Sequence, residues 1–138
     1  QVVKDKNVVY NFHLYDPFVF THQGASWGWR ASQYMKNIPY PSTPQLVAPL
    51  LAQIQDSEAK SAVERYGQEK WNKAKLIREL APIAAWAKTN RVTVTCNEFG
   101  AIPWVAPRDS MLRYLKDVRE VLESYRIPWG HWFALDIN

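Results

Sequence analysis

Val92-Thr93-Val94-Thr95-Cys96-Asn97-Glu98-Phe99-Gly100 is the stretch whose reading decides the fold. Val92 to Thr95 are all β-branched, which predicts a strand, because a branched Cβ packs well on a pleated surface and is stiff in a helix. The run does not alternate cleanly between polar and apolar, and it lies between two helical patterns. A strand covered on both faces in an α/β protein reads this way. Glu98 stands at the C-terminal end of the strand, and Phe99-Gly100 turns the chain out of the sheet. In parallel barrels, chemistry sits at that end of the strands.

Working outward, the residues before this strand predict a helix over 68–89, with Trp71, Lys75, Leu76, Leu80, Ile83, Ala84 and Ala87 on one face. Pro82 falls inside it and predicts a kink or a local break. Trp71 and Trp86 are expected in the core. After the strand comes a loop with Pro103, Trp104 and Pro107. A helix then starts at Arg108 or Asp109 and runs to about Tyr125, with Met111, Leu112, Leu115, Val118, Val121 and Leu122 apolar. His131-Trp132-Phe133-Ala134-Leu135-Asp136 reads as a further strand.

The N-terminal portion opens with a strand over 7–15, stopped by Asp16-Pro17. His13 and Tyr15 are two apart near its end, so the period of two points both to one side. Residues 16–44 form a long irregular stretch rich in aromatics, and such a loop inside a compact domain is usually functional. A single helix is expected over 45–62. Strands alternating with helices imply right-handed βαβ units and a parallel sheet. Three strands alone leave open edges, and no helix follows the last one, so the chain reads as an unfinished α/β unit.

Its 138 residues suit one domain, and a 47% hydrophobic content supplies a core. The net charge of +4 is spread among acids rather than clustered, which argues against a nucleic-acid surface. No apolar run is long enough to span a bilayer, so no membrane is expected as a partner. Cys96 is the single cysteine, so there is no internal disulfide. The chain opens at Gln1 without an initiator Met or a signal-peptide pattern and reads as a mature or cut product. Seven Trp and seven Tyr are the unusual feature. Trp27, Trp29, Trp104 and Trp132 fall in loops or at strand ends, where flat aromatic faces suit sugars or the bases of single strands.

The segment YNFHLYDPFVFTHQGASW resembles the sixth strand and following loop of family 5 glycoside hydrolases, the cellulase-type (β/α)8 barrels. Ala85-Trp86-Ala87-Lys88 followed by Val92 to Ala101, with Asn97-Glu98-Phe99-Gly100, resembles that family's sixth helix and seventh strand, and Trp129-Gly130-His131-Trp132 its eighth strand. The resemblance implies a partial (β/α)8 TIM barrel, with residues 1–138 a single C-terminal part-barrel of a catalytic domain. It implies Glu98 as catalytic nucleophile, with His13, Tyr15 and Trp132 binding substrate around the scissile bond and Trp27 as a neighbouring platform. The implied substrate is a β-linked glucan or mannan, no metal or cofactor is implied, and the family places the chain in a secreted or periplasmic setting. The family's first five strands have no counterpart here, and with them the Asn-Glu-Pro motif that carries the acid/base is missing. The implied partner is therefore the N-terminal barrel portion or a second copy in a homodimer. An inactive carbohydrate-binding fragment of the same fold is the alternative, and a single-stranded nucleic-acid binder ranks last.

Overall fold

The computed structural model describes residues 2–132. Strand β1 (Val9–Leu14) is followed by a short helix α1 (Phe18–Thr21), a 3-10 turn (Arg30–Tyr34), and helices α2 (Pro44–Leu51), α3 (Ser57–Glu69) and α4 (Lys73–Asn90). Strand β2 (Thr93–Phe99) and helix α5 (Arg108–Ser124) complete the order. β1 and β2 pair in parallel, as the alternation of strands and helices implies. A third segment joins the free edge of β2. Cys96 forms a parallel bridge with Trp129, Gly130 N–H donates to the Cys96 carbonyl (2.9 Å), and Trp132 N–H to that of Phe99 (2.9 Å). Of the strand expected over 131–136, the described residues show only this bridged segment, which starts at Pro128, whose carbonyl accepts from Cys96 N–H. Its part from Phe133 onward lies outside the described residues.

One face of the sheet is covered. Leu14, Val94, Cys96 and Phe99 are buried on it, α4 packs against β2, and α5 packs on α4. Leu76 and Leu80 of α4 and Tyr114, Val118, Val121 and Leu122 of α5 join the same cluster. The other face, with Val9, Asn11, His13 and Thr93, is exposed. The expectation that both faces of β2 are covered is therefore corrected: the four β-branched residues report strand propensity, and burial follows from what packs on each side.

The register contains one irregularity. Phe12 pairs with Cys96 but His13 pairs with Glu98, so Asn97 has no partner in β1. The opposite edge shows the same extra residue. From Gly130 to Trp132 the carbonyl acceptor in β2 moves from Cys96 to Phe99, three residues for two. This is a β-bulge at Asn97.

Two helical expectations are corrected. The single helix over 45–62 is two helices, because Asp56 accepts from Ala59 N–H (2.9 Å) as the N-cap of α3, just as Thr43 caps α2. The helix expected from 68 begins instead after Asn72, which accepts from Lys75 N–H (3.0 Å), while Lys70 turns left-handed at the end of α3. α4 then continues through Pro82 without a break. Trp71 is buried as expected, but Trp86 is part-exposed and meets only an edge of the sheet, packing T-shaped on Tyr10 (centroids 5.0 Å). In α5 the turn count puts Tyr114 inward and leaves Leu112 exposed.

The stretch 16–44 is held by buried polar groups rather than by regular structure. Gln23 is fully buried. Its amide donates to the carbonyls of Phe20 (2.9 Å) and Ile38 (3.1 Å) and accepts from Ile38 N–H (2.8 Å). Ser42 donates to the Tyr66 carbonyl (2.7 Å) and accepts from Trp71 N–H (2.8 Å). Tyr40 donates to Asp117 (2.9 Å), and Tyr114 to the Asp16 carbonyl (3.1 Å). Buried polar groups satisfied in this way fix one conformation, since leaving any of them unpaired is costly.

Candidate active site

The C-terminal ends of β1 and β2 bring together the residues that the sequence singled out. Tyr15 lies one residue past β1, and its hydroxyl donates to Glu98 Oε2 at 2.9 Å. His13 Nδ1 lies 3.3 Å from the same oxygen. A carboxylate only accepts, so the Tyr15 hydroxyl is the donor, with the His13 ring beside the same oxygen. The carboxylate is about one quarter exposed, and it faces the open side of the sheet. Burial, and next the hydrogen bond to Glu98, pushes the Tyr15 hydroxyl up to about 12. Tyr15 therefore stays a neutral donor throughout the neutral range.

Thr21 anchors this tyrosine from behind. Its hydroxyl donates to the Tyr15 carbonyl and lies 2.9 Å from His22 Nδ1. The hydroxyl has one proton, and a carbonyl can only accept it, so His22 Nδ1 carries hydrogen and donates to Thr21. His22 stacks flat on Phe18 (centroids 3.8 Å), and Tyr15 meets its edge (5.1 Å). Burial lowers its pKa below the ordinary histidine value.

Beside the carboxylate lies a cavity of about 320 Å³, at the small end of ligand sites. Tyr15, His22 and Trp27 line one side, the Gly100–Trp104 loop another, with Trp132 from the edge segment. Trp27, Trp104 and Trp132 are all exposed. Among the described residues, no carboxylate lines it, and Glu98 itself stands behind Tyr15 rather than in its wall. Gly100 is required here, because a Cβ on it would stand 2.6 Å from the Trp132 carbonyl.

Trp29 and Asp16 take other places. Trp29 does not present a free face to this cavity; its ring nitrogen donates to Glu58 (2.7 Å). Asp16 borders a separate cavity with Glu69 and Trp71, and burial, then Glu79 and Glu69, raises its pKa. Asp136 lies outside the described residues. Thr21 and the backbone of 100–103 were given no role by sequence reasoning. Their signals, a Thr-His pair and a Gly before a Pro-bounded loop, are too common to stand out.

No protein-family model matches the chain. Sequence comparison finds Endoglucanase 3 of Fibrobacter succinogenes, 34% identical over 133 residues, which covers 93% of this chain and 20% of that protein. Endoglucanase C of Acetivibrio thermocellus is 30% identical over 130 residues, covering 94% of this chain and 37% of that protein. Among solved structures, Cel5A of Thermotoga maritima, a mutant form in complex with cellobiose, superposes with a TM-score of 0.70 at 26% identity, over 99% of this chain and 35% of that one. The chain belongs to the cellulase-type glycoside hydrolases of family 5. The cellulose synthase subunit Z of Clostridioides difficile shares the fold, with a TM-score of 0.71 at 24% identity. The chain spans between a fifth and about a third of the length of these cellulase-type relatives, and its architecture is a partial (β/α)8 barrel.

Proposed function

We propose that this chain supplies the nucleophile half of a retaining β-glycosidase acting on β-linked polysaccharide, a glucan or a mannan. The carrying observation is the Glu98 carboxylate, held by Tyr15 (2.9 Å) and His13 (3.3 Å) beside a cavity walled by tryptophans. Tyr15 and His13 both lie at Oε2, so Oε1 is the oxygen that attacks the anomeric carbon. The Tyr15 hydrogen bond fixes the direction of the carboxylate before substrate arrives. Trp132 stacks on the sugar at the cleavage position, and Trp27 on its neighbour. The names of the sequence relatives, both endoglucanases, support a glucan substrate.

Retaining hydrolysis also needs an acid about 5–5.5 Å from the nucleophile to protonate the leaving oxygen. Among the described residues the cavity lining offers none. In this reading the acid/base is supplied by a partner across the open face of the sheet, either the N-terminal barrel portion or a second copy. The natural setting is outside the cytoplasm, secreted or periplasmic, where polysaccharide is found.

Reducing-sugar release from carboxymethylcellulose and mannan, with the complementary barrel portion added, tests this reading. Turnover by the wild-type pair that is lost in Glu98→Gln, with polymer binding retained, is expected. Retained turnover in that variant removes Glu98 from the role. The missing acid also favours a second reading, an inactive carbohydrate-binding fragment. Capture on insoluble cellulose without products from any pairing selects that alternative.

A further inference from the structure

We infer that the bulge at Asn97 is what delivers Glu98 to the open face, and that Asn11, Cys96 and Gly130 are positioning residues that hold the bulge. This rests on the reading of Glu98 as nucleophile for its functional half only. Along β2, Val94 and Cys96 point to the covered face. Strict alternation would send Glu98 there too, opposite Leu14, and would turn Phe99 outward. The extra residue reverses this. Glu98 pairs with His13 on the open face, and Phe99 pairs with Leu14 and is buried. A buried unpaired carboxylate and an exposed Phe disfavour the unbulged register.

A bulge leaves its own peptide groups without ladder partners. Two of them find partners outside the ladder, and a third is given room. Asn11, paired with Thr95 in β1, reaches forward so that its side-chain oxygen accepts from Asn97 N–H at 3.1 Å. The Asn97 carbonyl lies over Gly130, where a Cβ would stand 2.9 Å from that oxygen. The Cys96 thiol donates to the Glu98 carbonyl at 3.4 Å. Burial raises that thiol to about 11, so it keeps the proton it donates. Three residues from all three parallel segments thus converge on the main chain of Asn97 and Glu98, next to the carboxylate they aim.

The test uses the chain as it stands with 2,4-dinitrophenyl 2-deoxy-2-fluoro-β-cellobioside. The Glu98 carboxylate attacks the anomeric carbon, the bond from that carbon to the phenolic oxygen breaks, and dinitrophenolate leaves with the electron pair, so no acid is required. In Asn11→Ala the inactivation rate constant is expected to fall about tenfold, the size of one lost hydrogen bond, with the reagent's binding constant and the melting temperature nearly unchanged. Asn11→Asp restores the acceptor and is expected to recover the plateau rate while its charge moves the acidic limb of the pH profile upward. Gly130→Ala is expected to slow labelling at least as much. An Asn11→Ala variant that labels at the wild-type rate, or an Asn11→Asp variant without recovery, overturns the inference. Hydrogen exchange at the Asn97 amide separates this from a failure of the nucleophile reading. Even if wild type does not label, that amide must exchange about tenfold faster in Asn11→Ala; equal exchange refutes the clamp.

Discussion

The two faces of the small sheet are built by alternate residue pairs of the same two strands, yet they have opposite characters. On the covered face Leu14, Val94, Cys96 and Phe99 lie under α4 and α5, and their environment is decided by packing. On the open face Asn11, His13, Thr95 and Glu98 are polar and accessible to different degrees, and their environment is decided by hydrogen bonds. Stability belongs to the first face and chemistry to the second. Substitutions should therefore separate cleanly: covered-face changes lower the melting temperature, and open-face changes leave it nearly intact while altering reactivity.

Glu98→Gln breaks that division most sharply. It is expected to cost at least about a thousandfold in glycoside hydrolysis by the assembled protein, since the bond-forming atom is lost, with unfolding shifted little. Leu80→Ala is the matching change on the other side. Leu80 is buried in the helical layer, and its truncation should destabilise by about 2–5 kcal/mol, read as a fall in denaturant midpoint. Tyr15→Phe sharpens the comparison, because it removes one donor to Glu98 and little apolar surface. About a hundredfold loss in turnover, with a melting temperature near wild type, would place Tyr15 with the open face; a large stability loss would move it to the core.

The smallest effect concerns His22. Its folded-state pKa is lowered by burial, so the unfolded chain binds the proton first as pH falls. Stability is complete above the unfolded value of about 6.5 and declines as pH falls from there toward the folded value, because ν exceeds in the unfolded state across that window. His22→Gln should flatten the dependence of melting temperature on pH in that window relative to wild type. An unchanged slope would show that His22 is not the group responsible.

The parallel strands, the helix from Arg108 and the shared side of His13 and Tyr15 were legible in the sequence because β-branching, the 3.6-residue period and the period of two are local signals; that Glu98 joins them was implied by the family resemblance alone. What escaped was set by long-range geometry. Nothing in Val94-Cys96-Glu98 announces that the alternation reverses at Asn97; only the apolar Phe99 immediately after the acid hints at it. The division of α2 from α3 was legible in Asp56-Ser57-Glu58, a capping signal overridden by apolar spacing at Leu46, Leu50 and Ile54. Of those three, Leu46 is exposed and only Ile54 is buried, in the turn between the helices. Trp29 shows the opposite limit. An aromatic in a loop gives no sign from sequence of whether its polar edge is already engaged, as this one is by Glu58.

The most direct measurement is to locate the sugar adduct after saturating treatment with the fluorinated dinitrophenyl glycoside, by digestion and peptide mass spectrometry. A single fluoroglycosyl ester on Glu98, absent from Glu98→Gln, is the expected result. An adduct on another residue, or none on Glu98 while the cavity still binds cellobiose, would contradict the assignment of the nucleophile to the open face of this sheet.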